Sequence, residues 1–340
     1  MTATGGAQAP TRVAVIGAGQ WGQQHARVFS AHPASLLCAV VARRRERAEE
    51  RAAQWGARPY TSIGEMLASE RPDLVTMSLP NEGHFEATLE VIEAGVPLLV
   101  EKPLVFDLAQ ADELIEAAAR RDLFFAINFN HRFAETVRRA KGAIDAGELG
   151  ELVFATWRFG GEPGTSLHPH ANLIETQCHG LDMLELLCGP VRSVMAQMTN
   201  KTQGVYSTLA VALEFASGAV GSLVGSYDSS YAYPWAQLLE VNGTSGRLLV
   251  QDTVKRLDIS MAGDETRRVW EAGYFNDVDR ESHRTFDKHA DALLRALRAG
   301  DEPPVHARAG RRALELAQLI IRSFEDGQRV AVPVPEPASR

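Results

Sequence analysis

A lysine and a histidine lie in stretches of the sequence that are typical of enzyme active sites. Lys102 follows Glu101 directly after the short apolar segment 97–100. Open α/β sheets bind ligands at the carboxyl ends of such strands, where an ammonium group can bond a reacting oxygen. His179 lies in an amphipathic helical stretch on which Glu175 would share its face and raise its basicity, and histidine can take or return the proton of an alcohol. On position alone, a solvent-facing lysine and a core or capping histidine explain the two residues equally well.

The elements that must position these side chains begin with a glycine-rich turn near the start of the chain. The apolar strand 13–16 leads straight into the pattern GxGxxG, and a helix-compatible stretch follows it. Gly17 allows the tight turn, Gly19 lets the main chain approach a pyrophosphate, and Gly22 lets helix and strand pack closely. The start of the helix then offers free N–H groups to the anion. The strand before the motif favours a dinucleotide site over a glycine-rich turn without a ligand.

The end of the second strand bears on which dinucleotide binds. NAD-binding folds usually place there a carboxylate that accepts hydrogen bonds from the ribose hydroxyls. This chain has Ala42 followed by Arg43 and Arg44, whose guanidinium groups suit the 2′-phosphate of NADP. The sequence therefore predicts NADP as the preferred cofactor, with NAD as the alternative. The other interpretation is a solvated run of arginines that pair with Glu49 and Glu50 on the next helix.

Strands and helices alternate in the first part of the chain, and segments rich in β-strand follow. The first part has predicted strands at 13–16, 36–41, 73–78, 97–100 and 123–128, with helices at 47–55, 86–94 and 108–121. The second part has predicted strands at 152–159, 191–198, 208–215, 219–227 and 237–241, further strands within 246–273, and helices at 283–298 and 309–326. We therefore expect a doubly wound parallel sheet in a dinucleotide-binding domain over residues 1–128. A mostly antiparallel sheet covered by helices is expected in an α+β domain over residues 129–340.

Composition limits the class of protein. The 340 residues exceed one typical domain of about 150, and 45% hydrophobic and 23% charged residues match ordinary globular usage. The net charge of -8 offers no broad basic surface, so we expect no nucleic-acid partner. The start, residues 1–10, is small and polar, and no run approaches the roughly 18 apolar residues of a membrane span. We therefore expect a cytoplasmic protein without a membrane partner.

Two sets of residues raise the question of a metal ion or a disulfide. His168 and His170 stand near Cys178 and His179, but the proline and asparagine between them are typical of a loop. Since hydride transfer to NADP needs no ion, we expect no metal site. The cysteines are odd in number and lack metal-type spacing, which favours a reducing compartment and no structural disulfide; they are Cys38, Cys178 and Cys188.

The chain resembles a known family at several motifs, in the family's order and spacing. The motifs are Gly17-Ala18-Gly19-Gln20-Trp21-Gly22, Pro80-Asn81 with His84, Glu101-Lys102-Pro103, Asn130-His131-Arg132-Phe133, Ala146-Gly147-Glu148-Leu149-Gly150 and His179-Gly180-Leu181-Asp182. This set is similar to the glucose-fructose oxidoreductase, inositol dehydrogenase and rhizopine-catabolism (Gfo/Idh/MocA) oxidoreductase family, and the likeness covers nearly the whole chain. The EKP triplet with a later HxxD helix is quite specific when both follow an N-terminal GxGxxG.

The resemblance implies a Rossmann domain followed by an open-faced β-sheet domain for substrate binding and oligomerisation. It also implies oxidation or reduction of a secondary alcohol or carbonyl on a sugar or cyclitol. By position, Lys102 would bind the reacting oxygen, His179 would act as acid and base, and Glu175 would assist. The expected cofactor contacts are Gly17, Gly19, Gln20, Trp21, Gly22, Arg43, Arg44, Leu79, Pro80, Asn81, His84, Glu101, Lys102 and Asn130. The expected substrate contacts are Lys102, Arg158, His168, Glu175 and His179.

One departure from the family's pattern leaves the substrate open. Many members carry aspartate four residues before the histidine and glycine two before it, whereas this chain has Glu175 and Gln177. The loop 160–172 would also bear on the choice of substrate. Two other functions remain open, namely a non-catalytic nucleotide- or sugar-binding sensor of the same fold and a reductase of a non-sugar ketone or imine. An alternating apolar sheet face that needs cover favours a homo-oligomer, either a dimer or a tetramer.

Overall fold

The computed structural model describes residues 9–162, 166–202 and 204–335. Contacts divide the chain into two compact units, the first with residues up to 128 together with 286–311, and the second with 129–285 together with the residues from 312 onward. Residues 286–311 were expected in the second domain, over residues 129–340. Most of the polar start, residues 1–8, and residues 163–165 of the loop 160–172 lie outside the described residues.

The bounds of the elements are as follows in chain order. The strands are β1 (Thr11–Ile16), β2 (Ser35–Val41), β3 (Arg58–Tyr60), β4 (Leu74–Met77), β5 (Leu98–Val100), β6 (Phe125–Ile127), β7 (Leu152–Gly160), β8 (Val191–Thr199), β9 (Thr208–Phe215), β10 (Val220–Ser226), β11 (Gln237–Gly243), β12 (Gly246–Gln251), β13 (Arg256–Met261), β14 (Arg267–Glu271) and β15 (Val330–Ala331). The α-helices are α1 (Gln20–Ala31), α2 (Arg45–Trp55), α3 (Ile63–Glu70), α4 (His84–Glu93), α5 (Leu108–Ala119), α6 (Glu135–Asp145), α7 (Cys178–Cys188), α8 (Asp277–Arg280), α9 (Arg284–Ala299) and α10 (Arg308–Asp326). A 3₁₀ turn, Asn130–Phe133, precedes α6, and a π-helix, Asn172–Thr176, precedes α7. Over the described ranges, no helix has the length and apolar character needed to cross a membrane.

The first unit is built on a six-stranded sheet in the order β3-β2-β1-β4-β5-β6, and every strand pair in it is parallel. Its central strand β1 is apolar from Val13 onward because both faces are covered, and Val13, Ala14 and Val15 are each 0% exposed. The strand order reverses between β1 and β4, where sheets of this kind bind ligands at the strands' carboxyl ends. The expected doubly wound parallel sheet is confirmed.

Helix α9 completes the core of the first unit. Its residues Phe286, Ala290 and Leu293 recur on one face at helical spacing and are buried in one cluster with Phe29 of α1 and Leu99 of β5. This packing accounts for the assignment of residues 286–311 to the first unit, although they follow the strands of the second unit in sequence.

The second unit is built on a nine-stranded sheet in the order β14-β13-β12-β11-β7-β10-β9-β8-β15. Strands β7 and β10 pair in parallel, whereas the other described pairs are antiparallel. One face is covered by α7, which approaches Trp157 of β7 so closely that a Cβ on Gly180 would lie 2.4 Å from the indole nitrogen. The opposite face exposes apolar side chains, including Phe154, Val220 and Val224. The expected open-faced, mostly antiparallel sheet is confirmed.

Candidate active site

The three glycines of the GxGxxG turn have different environments. Gly17 adopts a φ of +114°, and a Cβ there would lie 2.0 Å from the main-chain oxygen of Ser78. A Cβ on Gly22 would lie 2.0 Å from the Gly17 carbonyl oxygen. Among the described residues, a Cβ on Gly19 would meet nothing within 4 Å, and Gly19 caps α1 without a side-chain hydrogen bond. Packing therefore requires two of the glycines, and the third leaves the N terminus of α1 accessible to a ligand.

Side chains from α2 and α9 hold this turn and the start of α1. Arg51 of α2 donates from Nε to the Ala18 carbonyl oxygen at 3.3 Å. Trp21 stacks on Phe286, with ring centroids 5.7 Å apart and an interplanar angle of 4°. The first N–H groups of α1 thus face open space from a fixed turn, and an anion suits such a cradle. The residues fit the pyrophosphate of a dinucleotide.

The arginines at the end of β2 divide into two groups. Arg43 and Arg44 are exposed, and across the described ranges neither forms an ion pair. In the alternative interpretation these arginines would pair with Glu49 and Glu50. The two carboxylates pair instead with arginines of α2, Glu49 with Arg45 at 2.9 Å and Glu50 with Arg47 at 3.2 Å. The two guanidinium groups assigned to the 2′-phosphate therefore remain available to a ligand.

The Glu101 carboxylate is the centre of a buried network at the carboxyl end of β5. His25 Nε2 of α1 lies 2.8 Å from Glu101 Oε1, and Asn128 Nδ2 donates to the same oxygen at 2.7 Å. The main-chain N–H of Lys102 donates to Oε2 at 3.2 Å. Beyond Asn128, His289 Nδ1 of α9 lies 2.7 Å from Asn128 Oδ1. We call these four side chains, of Glu101, His25, Asn128 and His289, the Glu101 network.

The Glu101 network keeps its carboxylate ionised and fixes the main chain at Lys102. Burial acts to raise the pKa of Glu101, but the hydrogen bond and charge of His25, the charge of Lys102 and the Asn128 bond outweigh it and lower the pKa. Lys102 itself is half-buried. Because His25 belongs to α1, the helix that begins at the glycine turn is linked through one carboxylate to the lysine.

His84 begins α4 after the segment 79–81, which follows β4. Within this segment Leu79 and Asn81 are half-buried and Pro80 is exposed. The His84 ring is 2% exposed, and its Nε2 has no hydrogen-bond partner among the described residues. Burial lowers the pKa of His84 to about 4, against the opposing charge of Glu101. An unsatisfied buried nitrogen near the carboxyl end of a central strand fits a polar group of a ligand.

In the second unit, the segment with the candidate histidine is not one regular helix. The π-helix ends at Thr176 and α7 begins at Cys178, so Glu175 lies outside α7. The i, i+4 spacing of Glu175 and His179 therefore does not place them on one face of a regular α-helix, because that placement requires an uninterrupted α-helix. Short π-helical segments are frequent at functional sites.

Gln177, one of the departures from the family's pattern, has a structural role. Trp157 Nε1 donates to Gln177 Oε1 at 3.1 Å, and Gln177 Nε2 donates to Asn172 Oδ1 at 3.1 Å. A Cβ on Gly225 of β10 would lie 2.4 Å from Gln177 Cδ. The glutamine thus fills space that a glycine in the sheet provides, and it ties the π-helix to that sheet.

His179 lies in the first turn of α7 and is 6% exposed. Its ring stacks on that of His131, with centroids 3.9 Å apart and an interplanar angle of 11°. Phe129 packs edge-on against His179 at 5.9 Å, and Phe159 packs against His131 at 6.4 Å. Gln237 Nε2 lies 3.4 Å from His131 Nδ1. His131 belongs to one of the family's motifs, but no role was predicted for it from the sequence.

The side chains on either side of His131 are anchored within the second unit. Arg132 donates from Nε to Asp182 Oδ2 at 2.9 Å and from Nη2 to Oδ1. Burial raises the pKa of the Asp182 carboxyl, and the Arg132 charge opposes that rise. Asn130, expected at the cofactor, is 7% exposed and donates from Nδ2 to Thr285 Oγ1 at 2.7 Å. The aspartate of the HxxD motif therefore anchors the 3₁₀ turn, and Asn130 uses its amide for an internal bond.

Polar groups suited to hydroxyl recognition occur together around Glu175. Thr176 Oγ1 lies 3.0 Å from the Tyr227 hydroxyl. Burial raises the pKa of Tyr227, the Thr176 hydroxyl lowers it, and the negative charge of Glu175 raises it further. Burial lowers the pKa of His168, and the same Glu175 charge opposes this. Glu175 therefore lies near enough to Tyr227 and His168 for its charge to act on both. His168 and Glu175 are two of the expected substrate contacts, and the structure places them near one another.

Arg158, another expected substrate contact, lies on the other face of the sheet. Successive side chains of a strand alternate, so Arg158 points away from the face on which Trp157 meets α7. Arg158 is exposed and donates from Nη2 to the Trp235 carbonyl oxygen at 3.0 Å. This placement separates Arg158 from His179, and Arg158 does not belong to the candidate site.

The remaining candidate residues divide between the units. Lys102 and the residues of the glycine turn lie in the first unit, whereas His179, Glu175 and His168 lie in the second. The three cysteines are buried and unbridged. Within the ranges that the structure describes, no three His, Cys, Asp or Glu side chains form a cluster suited to a metal ion.

Four residues that support or contact the candidate groups had no role predicted from the sequence, although each carried a signal. His25 and His289 are polar residues on the apolar faces of their helices, and both are buried. Asn128 ends an apolar strand and is 1% exposed. His131 stands beside Arg132, a half-buried arginine paired with Asp182. Buried polar side chains need partners, so polar residues in apolar patterns indicate networks of this kind.

Two models of one family match the chain. The model described as an oxidoreductase family with an NAD-binding Rossmann fold matches residues 11–129, and the model of the GFO/IDH/MocA C-terminal domain matches residues 137–249. Myo-inositol 2-dehydrogenase of Thermotoga maritima is 26% identical over 336 residues, which cover 94% of this chain and 98% of the relative. D-glucoside 3-dehydrogenase of Escherichia coli is 32% identical over 205 residues, which cover 56% of this chain and 58% of the relative.

Solved structures agree on the fold. The crystal structure of an NAD binding oxidoreductase from Klebsiella pneumoniae superposes with a TM-score of 0.87 at 22% identity, covering 96% of this chain and 100% of that one. The nucleotide-binding and C-terminal models of one family match successive parts of a chain that also carries the glycine turn and the EKP triplet. The chain therefore belongs to the Gfo/Idh/MocA oxidoreductase family.

Proposed function

We propose that this protein is a nicotinamide-dependent dehydrogenase that oxidises a secondary alcohol, or reduces the corresponding ketone, on a sugar or cyclitol. The observation that carries the proposal is the Glu101 network, which joins the main chain of Lys102 to the helix behind the glycine turn. The relatives named as myo-inositol and D-glucoside dehydrogenases support the substrate class.

In this proposal Lys102 and His179 act on one reacting oxygen. The Lys102 ammonium bonds that oxygen and stabilises its alkoxide character. His179 takes the hydroxyl proton in oxidation and returns it in reduction. A bound nicotinamide supplies the hydride acceptor or donor. Glu175, the Thr176–Tyr227 pair and His168 present a carboxylate, hydroxyls and an imidazole for the remaining hydroxyl groups of the substrate.

A turnover screen tests this function. Polyols and ketosugars are offered with NADP and with NAD, and the absorbance of the reduced nicotinamide is followed. We expect turnover of at least one of them, and His179→Ala should lower kcat by about 10² to 10⁴ while the cofactor still binds. His283→Ala, which changes an exposed histidine paired with Glu281, should keep the wild-type rate.

Three results would contradict the proposal. A sugar that binds tightly but is not turned over at any pH with either cofactor would indicate the sensor function. Turnover confined to imines or sugar-free ketones would indicate the other alternative. A His179→Ala variant with the wild-type rate would assign the proton transfer to another group.

We further propose that NADP is preferred over NAD, because Arg43 and Arg44 are exposed and unpaired across the described ranges while Glu49 and Glu50 are occupied by other arginines. Replacing Arg43 and Arg44 by alanine should raise the KM for NADP by tenfold or more, and the KM for NAD much less, because charge-assisted bonds are lost. The matched control replaces Arg45 and Arg47 by alanine and should leave both KM values nearly unchanged. An unchanged cofactor preference in the Arg43/Arg44 variant would overturn the assignment.

The open face of the second sheet supports a homo-oligomer, either a dimer or a tetramer. It exposes apolar residues on neighbouring strands, and contiguous patches of this kind are usually covered by another chain. They include Phe154, Val220 and Val224. Light scattering should give a mass above that of one chain, and a monomer mass at micromolar concentration would refute this expectation.

A further inference from the structure

His131 lies so close to His179 that a charge on one ring disfavours a charge on the other. The ring centroids are 3.9 Å apart and the planes are nearly parallel, so the imidazoles are in face-to-face contact. Two unit charges at this distance, with an effective dielectric constant of about 20, would displace a titration by roughly three pH units. Charge delocalised over the rings reduces this effect, and a displacement of about one unit or more remains.

The stack is held by contacts on both sides. The main chain that carries His131 is fixed by the Asn130–Thr285 bond before it and by the Arg132–Asp182 ion pair after it. Phe129 and Phe159 close the outer edges of the two rings. The two histidine rings therefore have contacts on both sides of the stack.

Burial decides which ring takes the first proton. His179 is 6% exposed, whereas His131 is half-buried, and desolvation penalises a charge more on the more deeply buried ring. Gln237 faces His131 Nδ1 with its amide, which carries both donors and an acceptor and so serves either protonation state.

Five neighbouring side chains bear on the electrostatics of the pair. Phe129 and Phe159 carry no charge, and Arg132 with Asp182 forms a pair without net charge. Glu175 lies on the π-helix before α7, four residues before His179, and a negative charge near the pair favours its first proton. None of these groups removes the repulsion between two imidazolium rings.

We propose that His131 is a positioning residue that takes the first proton of the His131–His179 pair and so keeps His179 neutral as a base. The proposal rests on the proposed role of His179 in proton transfer. As the pH falls, the positive charge on His131 shifts the protonation of His179 to lower pH. The enzyme thereby retains a proton acceptor for alcohol oxidation at a pH at which an isolated histidine would already be protonated.

The experiment is an NMR titration of the histidine rings in the whole protein without cofactor or substrate, between pH 8.5 and 4.5. In the wild type we expect His131 to titrate first and His179 at least about one unit lower. In His131→Phe, which keeps a flat ring in the stack, the His179 midpoint should rise by about one unit or more. His131→Gln provides a second variant of smaller volume, and His283→Phe is the control that should leave the His179 midpoint unchanged.

The pH profile of kcat/KM for alcohol oxidation gives the functional readout. The midpoint of its acid limb should rise in His131→Phe by the same amount as in the NMR titration. A His179 ring that titrates first, or at the same pH with and without His131, would overturn the proposal. Because the titration needs no turnover, it decides the matter even if no sugar is a substrate, in which case only the proposed function fails.

Discussion

Replacing His84 by leucine should remove a pH dependence from the stability of the first unit. The His84 ring is 2% exposed, and burial lowers its pKa from the ordinary value of 6.5 to about 4. Between these two values the unfolded chain binds a proton that the folded chain does not. The contribution of His84 to the free energy of unfolding is therefore fully present above pH 6.5 and decreases as the pH falls toward 4.

The size of the effect follows from the same two values. Between pH 7.5 and pH 5, the unfolded state gains about 2 kcal/mol relative to the folded state through this one histidine. In His84→Leu that part of the pH dependence should disappear, whatever the variant's stability at pH 7.5. The comparison is made within each variant, so a general cost of the substitution cancels.

Hydrogen exchange of the β1 and β4 amides at the two pH values, without cofactor, measures the free energy of opening in the first unit. The wild type should lose about 2 kcal/mol more than His84→Leu between pH 7.5 and pH 5. His283→Leu, a change at an exposed histidine, should keep the wild-type difference. If wild type and His84→Leu lost equal stability, burial would not be holding His84 neutral and the reasoning would be refuted.

Two further predictions concern the glycine turn and the carboxylate near the histidines. Gly19→Ala should lower cofactor affinity at least about tenfold without loss of thermal stability, because its φ of -77° suits alanine and its Cβ would enter the open space before α1. Gly22→Ala should lower both cofactor affinity and thermal stability, with about 1 to 3 kcal/mol lost from stability, because its Cβ would collide with the Gly17 carbonyl. Calorimetry with and without cofactor separates the two variants. Equal behaviour of the two variants would contradict the assignment of Gly19. Glu175→Gln should move the acid limb of the kcat/KM profile to lower pH, because losing a negative charge disfavours a nearby imidazolium. A shift to higher pH would show that the charge of Glu175 does not stabilise that imidazolium.

The parallel sheet was predictable because its strands are buried on both faces and appear as continuous apolar runs. Two elements of the first unit were not predicted. Strand β3 has three residues, with a proline at its centre, and lies at the edge of the sheet where no apolar run is needed. Helix α3 did carry a signal, since the Ser62 side chain accepts from the Glu65 N–H in a serine-x-x-glutamate pattern that is typical of a helix start.

Helix α9 illustrates a limit of local patterns. Its apolar residues at helical spacing predicted a helix with one buried face, and the helix was found within one residue of the predicted range. The same pattern does not specify which surface covers that face. The partners, among them Phe29 and Leu99, lie far away in sequence, and only the tertiary structure assigns the helix to the first unit.

The candidate site was predictable where a motif is local and was missed where it is assembled from distant parts. The glycine turn and the position of Lys102 follow from a few adjacent residues. The Glu101 network joins residues separated by 76, 27 and 161 positions, so no local spacing indicates it. Arg158 could have been excluded earlier, since the alternation along β7 places it opposite the buried Trp157.

The return of the chain to the first unit at residues 286–311 has a consequence during synthesis. The six strands of the Rossmann sheet leave the ribosome first, but the helix that completes their core follows only after residues 129–285, roughly 8 to 30 s later at ordinary elongation rates. During that interval the apolar surface around Phe29, Leu74 and Leu99 has no α9 to cover it. Nascent chains of this protein are thus exposed to aggregation and to capture by chaperones. For the same reason, a chimera that exchanges nucleotide domains between relatives has to carry residues 286–311 along with residues 1–128.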